Sequence, residues 1–260
     1  MFFSEDLLLA LVNAYFWPFV RIGGLVAVAP LFNSRNIPQR VKLLLVVSLT
    51  ALIGPALPPM PDVPLMSPAG FLLTGQQLLI GMLLGFVVQL VFDAMVVAGE
   101  TAAMSMGLGF ATFLDPERGV SVPVLSQFYL ILATLTYLAI NGHLMLLEVL
   151  AQSFQSMPVV VPENLQSGQD LLWELISFAS TMFGGALQIA LPAVSALLIV
   201  NIAFGVISRA APSLNMFAIG FPISLVMGFA IILVSLPSTQ GALIHLLEVS
   251  FQLLAEILRP

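Results

Sequence analysis

Apolar residues in this chain come in long blocks, and charged residues, prolines and glycines gather in or near the breaks between them. The first block is 7–31; Pro18, Gly23, Gly24 and Pro30 interrupt it and Arg21 lies inside it. A basic stretch, Asn33-Ser-Arg-Asn-Ile-Pro-Gln-Arg-Val-Lys42, leads into the second block, 41–57, which stops at the proline-rich segment 58–68. That segment reads as extended and rigid. The third block, 69–104, is the longest. As one helix it would rise about 54 Å at roughly 1.5 Å per residue, whereas the hydrocarbon core of a bilayer is about 30 Å thick. Tilt absorbs only part of that excess. Blocks four, 124–157, and five, 171–206, are similarly overlong, and Pro192 is placed to kink the fifth. The sixth block, 217–236, carries Pro222 and is expected to end in a turn at 236–241. The final stretch, 242–258, then reads as a separate interfacial or buried helix. The pattern predicts an all-α integral membrane protein. Its overlong helices must either bend into broken hairpins or carry their ends out of the bilayer, kept dry by other subunits.

Composition sharpens this. Of 260 residues 60% are hydrophobic and 8% charged, and the mean hydropathy is +1.09. A soluble domain carries roughly 25% charged residues, so this chain belongs in lipid or inside a larger apolar assembly. The formal charge of −6 is spread over the chain without an acidic tail or a basic patch, which makes nucleic acid an unsuitable partner. There is no cysteine, hence no disulfide and no thiolate site. His143 and His245 are too few and too far apart for a zinc site. Glu5 and Asp6 stand where a signal peptide would be basic, so the start reads as that of a mature membrane protein. Arg35, Arg40 and Lys42, then Arg118, then Arg209 fall in alternate breaks. With one crossing per block, the positive-inside bias places those breaks in the cytoplasm and the N-terminus outside.

One stretch differs from all others: Met104-Ser-Met-Gly-Leu-Gly-Phe-Ala-Thr-Phe-Leu-Asp-Pro-Glu-Arg-Gly119. Gly107 and Gly109 open backbone angles closed to other residues, and Pro116 drives Asp115 out of the helical region. The upstream helix must end before it. Phe110, Phe113 and Leu114 supply apolar bulk, Met104 and Met106 adaptable packing, and Asp115 and Arg118 polar contacts. A loop of this kind at membrane depth either fills a gap between helices or lines a cavity.

Polar residues inside the apolar blocks are the other candidates. Gln89, Asp93 and Glu100 share one helix face by spacing. They read either as an ion site or as a structural contact, with Arg21 a possible partner of a carboxylate; the contact reading is favoured. His143, Glu148 and Arg209 read as buried polar contacts, and Asn141-Gly142-His143 as a helix break or interhelical contact. Gly81 and Gly85 form a small-xxx-small pair suited to close helix packing. No nucleophile–base pair or metal cluster is visible, so no catalytic, cofactor or metal residue is assigned and the chain does not read as an enzyme.

Four stretches carry a resemblance. They are Ala29-Pro-Leu-Phe-Asn-Ser-Arg-Asn-Ile-Pro-Gln-Arg-Val-Lys42; Ala98-Gly-Glu100 running into Met106-Gly-Leu-Gly-Phe-Ala-Thr-Phe-Leu-Asp-Pro116; Pro123-Val-Leu-Ser-Gln-Phe128 with Asn141-Gly-His143; and Asn201 followed by Ser208-Arg-Ala-Ala-Pro-Ser-Leu-Asn-Met-Phe-Ala-Ile-Gly-Phe-Pro222. In these the chain resembles the FliR family of the flagellar type III export gate and its injectisome counterparts. The resemblance implies a FliP-like part, 1–170, followed by a FliQ-like helical hairpin, 171–260, packed in a helical multi-subunit gate. It implies FliP and FliQ as core partners, FlhB and FlhA beside them, and unfolded flagellar proteins as substrates. It places the chain in the bacterial inner membrane at the flagellar basal body, among lipid, and maps the family's pore-plug loop onto 107–119. The competing reading is a self-sufficient ion-coupled secondary transporter using Asp93 and Glu100. Such a transporter usually shows repeat symmetry, and none is visible in this sequence.

Overall fold

The computed structural model describes residues 5–34, 37–108, 124–160, 167–210 and 216–259. Every regular element among them is helical: α1 (Glu5–Val28), α2 (Gln39–Ile53) with a 3-10 turn (Gly54–Ala56), α3 (Pro68–Ser105), α4 (Val124–Ala139), α5 (Gly142–Ser156), α6 (Ser167–Ala210) and α7 (Met216–Ile257). Among the described residues four helices are long and apolar enough to cross a membrane, or five spans if α4 and α5 count as one. The all-helical membrane architecture therefore follows the hydrophobic blocks.

One break falls where the sequence signalled it and one boundary differs from the sequence reading. The fourth block is two helices meeting at a 66° bend. Asn141 causes it by taking the left-handed conformation (φ 58°), which Asn tolerates because its short amide can bond locally. The sixth block and the final stretch, by contrast, are one helix of 42 residues, and the turn expected at 236–241 is absent. Pro237 sits inside α7. Beside it the Ser235 hydroxyl donates to Ile232 O at 3.1 Å and the Ser238 hydroxyl to Ser235 O at 2.7 Å. Hydroxyls that return to nearby carbonyls are one way an apolar helix carries a proline without ending. Likewise α6 runs through Pro192 without a break.

By contacts the chain divides into two compact units. One comprises 1–90, 138–177 and 249–260. In it α1 and α3 pack backbone on backbone. A Cβ on Gly81 would overlap the Arg21 carbonyl, and one on Gly85 would lie 2.9 Å from Ala29 N. Only glycine allows that approach. Trp17, Ile22 and Leu25 from α1, Leu73 and Leu84 from α3, and Leu146, Leu150 and Phe154 from α5 are buried around it. Ser67 caps α3: its Oγ accepts from Gly70 N at 3.1 Å and donates to Pro64 O at 2.6 Å.

The other unit comprises 91–137 and 178–248. Here α6 and α7 run antiparallel. Gly220 lies against Phe204 near their connection, and Gly185 faces Leu246 farther along, where a Cβ would meet Leu246 Cδ1 at 2.7 Å. Phe178, Met182, Ala186, Ile189, Ala193 and Leu197 form the buried stripe of α6, while Phe183, Leu187, Leu191 and Leu198 on the opposite side are exposed. A helix apolar on all sides needs lipid or neighbouring protein around it. Tyr137 and Phe92 meet edge to face with centroids 5.5 Å apart.

Candidate functional site

The segment singled out by sequence lies almost wholly in 109–123. Gly109, Phe110, Phe113, Leu114, Asp115, Pro116 and Arg118 fall outside the described residues. Both of its shoulders are described, and both are held within the second unit.

The upstream shoulder is a capped helix end. Gly107 takes φ +80°. Gly107 N donates to Met104 O and Leu108 N to Ala103 O, each at 3.0 Å. This paired arrangement is the Schellman closure, which needs a left-handed residue at that place. Met106 is fully buried against α7; a Cβ on Gly228 would stand 2.6 Å from Met106 Cγ. The Gly107 Cα is likewise backed by Phe221, whose Cδ2 lies 3.3 Å from the position of a Cβ there. Met104 is exposed. The downstream shoulder is the first turn of α4. Ser126 donates to Val96 O at 3.0 Å, and Gly99 lets the two helices touch, since a Cβ there would be 2.6 Å from Ser126 Cα. A segment of apolar bulk thus leaves from one fixed point and returns to another.

The polar candidates separate. Arg21, fully buried, donates from Nε to Gln77 Oε1 at 2.7 Å, from Nη1 to Ser153 O at 2.7 Å and Ser153 Oγ at 3.0 Å, and from Nη2 to Met157 O at 2.8 Å. The pairing with a carboxylate entertained from sequence is replaced by neutral acceptors. The physical reason is the end of α5: Ser153 O accepts from Met157 N at 2.9 Å and has a second lone pair to offer, Met157 O lies past the last turn, and both stand at the negative end of the helix dipole, so a guanidinium fits without an acid. Gln77, Ser153 and Phe154 were not legible as its partners, being 56 to 133 positions away with no local signal. Gln89, Asp93 and Glu100 are half-buried along α3. His143 is half-buried at the start of α5. Glu148 is exposed in the chain by itself, accepting from Gln152 Nε2 at 3.3 Å, because its place on α5 lies away from the buried Leu146–Leu150 stripe. Arg209 is exposed in the last turn of α6, where a cation suits the helix dipole. Among the described residues no group of three His, Asp or Glu could hold a metal ion.

The model of the family "Bacterial export proteins, family 1" matches residues 12–249. The chain is 40% identical to the flagellar biosynthetic protein FliR of Escherichia coli K12 over 250 residues, which cover 96% of this chain and 94% of that protein. It is 41% identical to FliR of Pectobacterium carotovorum, covering 95% and 93% of the two chains. Against FliR of Bacillus subtilis the identity is 27%, with 86% of each chain covered. With a family model spanning most of its length and relatives aligned nearly end to end, the chain belongs to bacterial export protein family 1, among the FliR flagellar biosynthetic proteins.

Proposed function

We propose that this chain is an inner-membrane subunit of the flagellar type III export gate at the basal body, forming with FliP and FliQ the channel for unfolded flagellar proteins. The observation that carries the reading is the end-to-end match to flagellar FliR proteins, on a chain whose helices outrun the bilayer. At about 1.5 Å per residue, α6 with 44 residues is about 66 Å long, roughly twice the hydrocarbon core. Ends that long and that apolar call for neighbouring subunits. FlhB and FlhA are expected beside the core partners. The division into a FliP-like part, 1–170, and a FliQ-like hairpin, 171–260, is supported by the antiparallel packing of α6 on α7.

In this reading 107–119 is the plug. Its shoulders support that role: the Schellman end at Gly107 and the Ser126 contact hold the segment at both ends while its apolar middle fills the path. A hydrophobic constriction blocks ions by dewetting, without a rigid door. The test is mild detergent extraction through a tag on this chain. FliP-like and FliQ-like proteins are expected to co-purify in a fixed ratio; recovery of the chain with neither would overturn the assignment.

A further inference from the structure

The first unit carries a second feature, separate from the segment at 107–119. Between α1 and α2 runs an open apolar groove with a cavity of about 390 Å³, walled by Tyr15, Phe16 and Phe19 on one side and Val47, Thr50 and Ala51 on the other. The two helices are antiparallel there: Gly54 lies against the Tyr15 ring and Gly23 against Val46. The Thr50 hydroxyl in the groove is bonded to Val46 O at 2.7 Å. Following α2 toward its start leads out of the groove to Lys42 and Arg40. At about 1.5 Å per residue, Val47 lies about 7.5 Å and Ala51 about 13.5 Å along the helix from Lys42. That matches one leaflet's hydrocarbon, half of about 30 Å.

The charges are distributed to match. Arg40 is exposed and Lys42 half-exposed, and the Lys42 ammonium reaches Asn33 Oδ1 at 3.5 Å, a neutral group. Between Asp6 and Asp62 the sequence has no acidic residue. Asp62 is engaged by Asn13 Nδ2 at 3.3 Å, on the N-terminal half of α1 and so at the end of the groove far from the basic turn. The basic end therefore has no acid of its own segment beside it.

We propose that this groove is a binding site for an anionic phospholipid, its phosphate at Arg40 and Lys42 and one acyl chain between Phe19 and Val47 down to Tyr15 and Ala51. Basic residues at the membrane surface attract anionic lipid, each strengthening binding about fivefold. An apolar channel on the face of α2 that Arg40 shares with Val47 and Ala51, with Lys42 in the same first turn, distinguishes a seated lipid from one merely held at the surface.

The experiment reconstitutes the chain, with the proteins it extracts with, into vesicles containing trace phosphatidylglycerol or phosphatidylcholine with a photoactivatable acyl chain. Crosslinks are mapped by peptide mass spectrometry. Phosphatidylglycerol is expected to label the 12–19 and 47–51 segments several-fold more than phosphatidylcholine. The double variant Arg40→Gln/Lys42→Gln should abolish that preference, and Ala51→Trp, which fills the channel, should remove the labelling while leaving the complex intact. Equal labelling by both lipids would overturn the headgroup assignment. Labelling confined to outward residues such as Leu44 and Leu52 would mean ordinary annular lipid and overturn the groove. Absence of label from either lipid would mean a partner segment fills it, which also overturns the proposal. Competition by glycerol 3-phosphate as effective as by intact lipid would reduce the site to a free-anion site and overturn the acyl-chain half.

Discussion

The guanidinium carbon of Arg21 lies 4.1 Å from the centre of the Phe154 ring, stacked on the last turn of α5. The same group holds Ser153 and Met157 carbonyls and Gln77, so one side chain joins α1, α3 and the end of α5. Arg21→Met keeps the stem and removes the donors. The Gln77 amide oxygen and the Met157 carbonyl then lose their donor, each costing about 1–3 kcal/mol, while Ser153 O keeps Met157 N at 2.9 Å, so a loss of about 2 kcal/mol or more is expected. Arg21→Lys should recover only part, lacking the planar fork. Melting of the detergent-solubilised protein measures it; an Arg21→Met midpoint equal to wild type would show the cluster to be dispensable.

Glycines offer a matched comparison on one helix. Gly81→Ala and Gly85→Ala would drive a methyl into α1 backbone, whereas a Cβ on Gly75 meets nothing within 4 Å. Overpacking costs about 1–3 kcal/mol, while Gly→Ala in an open helical position stabilises by up to about 1 kcal/mol. Protease resistance in detergent should therefore fall for the first two variants and hold or rise for Gly75→Ala. The reverse order would contradict the backbone-on-backbone packing of α1 and α3.

These residues also mark what sequence could and could not convey. The apolar blocks were legible as helices, because blocks this long fit nothing else, although α7 was read as two elements. The pair Gly81 and Gly85 was legible as a packing motif, but its counterpart was not, since spacing on one helix says nothing about which other helix approaches. The join across 236–241 was missed because Pro-Ser-Thr-Gln-Gly reads as a turn when the apolar docking on either side is invisible. Asn141 was legible as a break from Asn-Gly-His, although its angle was not. Arg21 was visible as an anomaly in an apolar block. Its solution, the carbonyl end of a helix more than a hundred residues away, had no local trace. The shoulder partners Phe221 and Gly228 lie equally far along the chain from Met106 and Gly107.

Asp93 and Glu100 are proposed as structural contacts rather than proton carriers. They sit half-buried on α3, and Asp93 has an interaction partner. Asp93→Asn and Glu100→Gln retain shape and hydrogen bonding without charge. Motility and secreted flagellin are expected within about twofold of wild type, a change below about half a kcal/mol. An assembled variant that exports nothing would sink this reading and favour ion coupling.

Orientation can be tested in a chain that has no cysteine. The basic-break argument puts 58–68 outside the cytoplasm. Ser67 caps α3 and should be left alone, but Met66 is 87% exposed and tolerates exchange. Met66→Cys should react with a membrane-impermeant maleimide in cells whose outer membrane has been permeabilised. Labelling only after the inner membrane is broken, with denatured protein as the control for burial, would reverse the topology.

The plug assignment makes the most direct prediction. The apolar middle of the segment can be shortened while both shoulders are preserved, because the shoulders are fixed by contacts of their own: Gly107 and Met106 on α7, Ser126 on α3. Deleting within 110–114 removes Phe110, Phe113 and Leu114 and leaves those anchors, so assembly should persist while the barrier to ions falls. A second variant approaches the same loop from its support. Gly228→Val would push a side chain into the place of Met106, displacing the shoulder and loosening closure without touching the loop. Both variants should raise conductance or solute uptake in liposomes carrying the complete gate, the deletion more than the displacement. A deletion variant that assembles fully and stays as tight as wild type removes the plug role and leaves 107–119 as a packing loop. If Gly228→Val alone leaks, the closure resides in the shoulder at Met106 rather than in the phenylalanines.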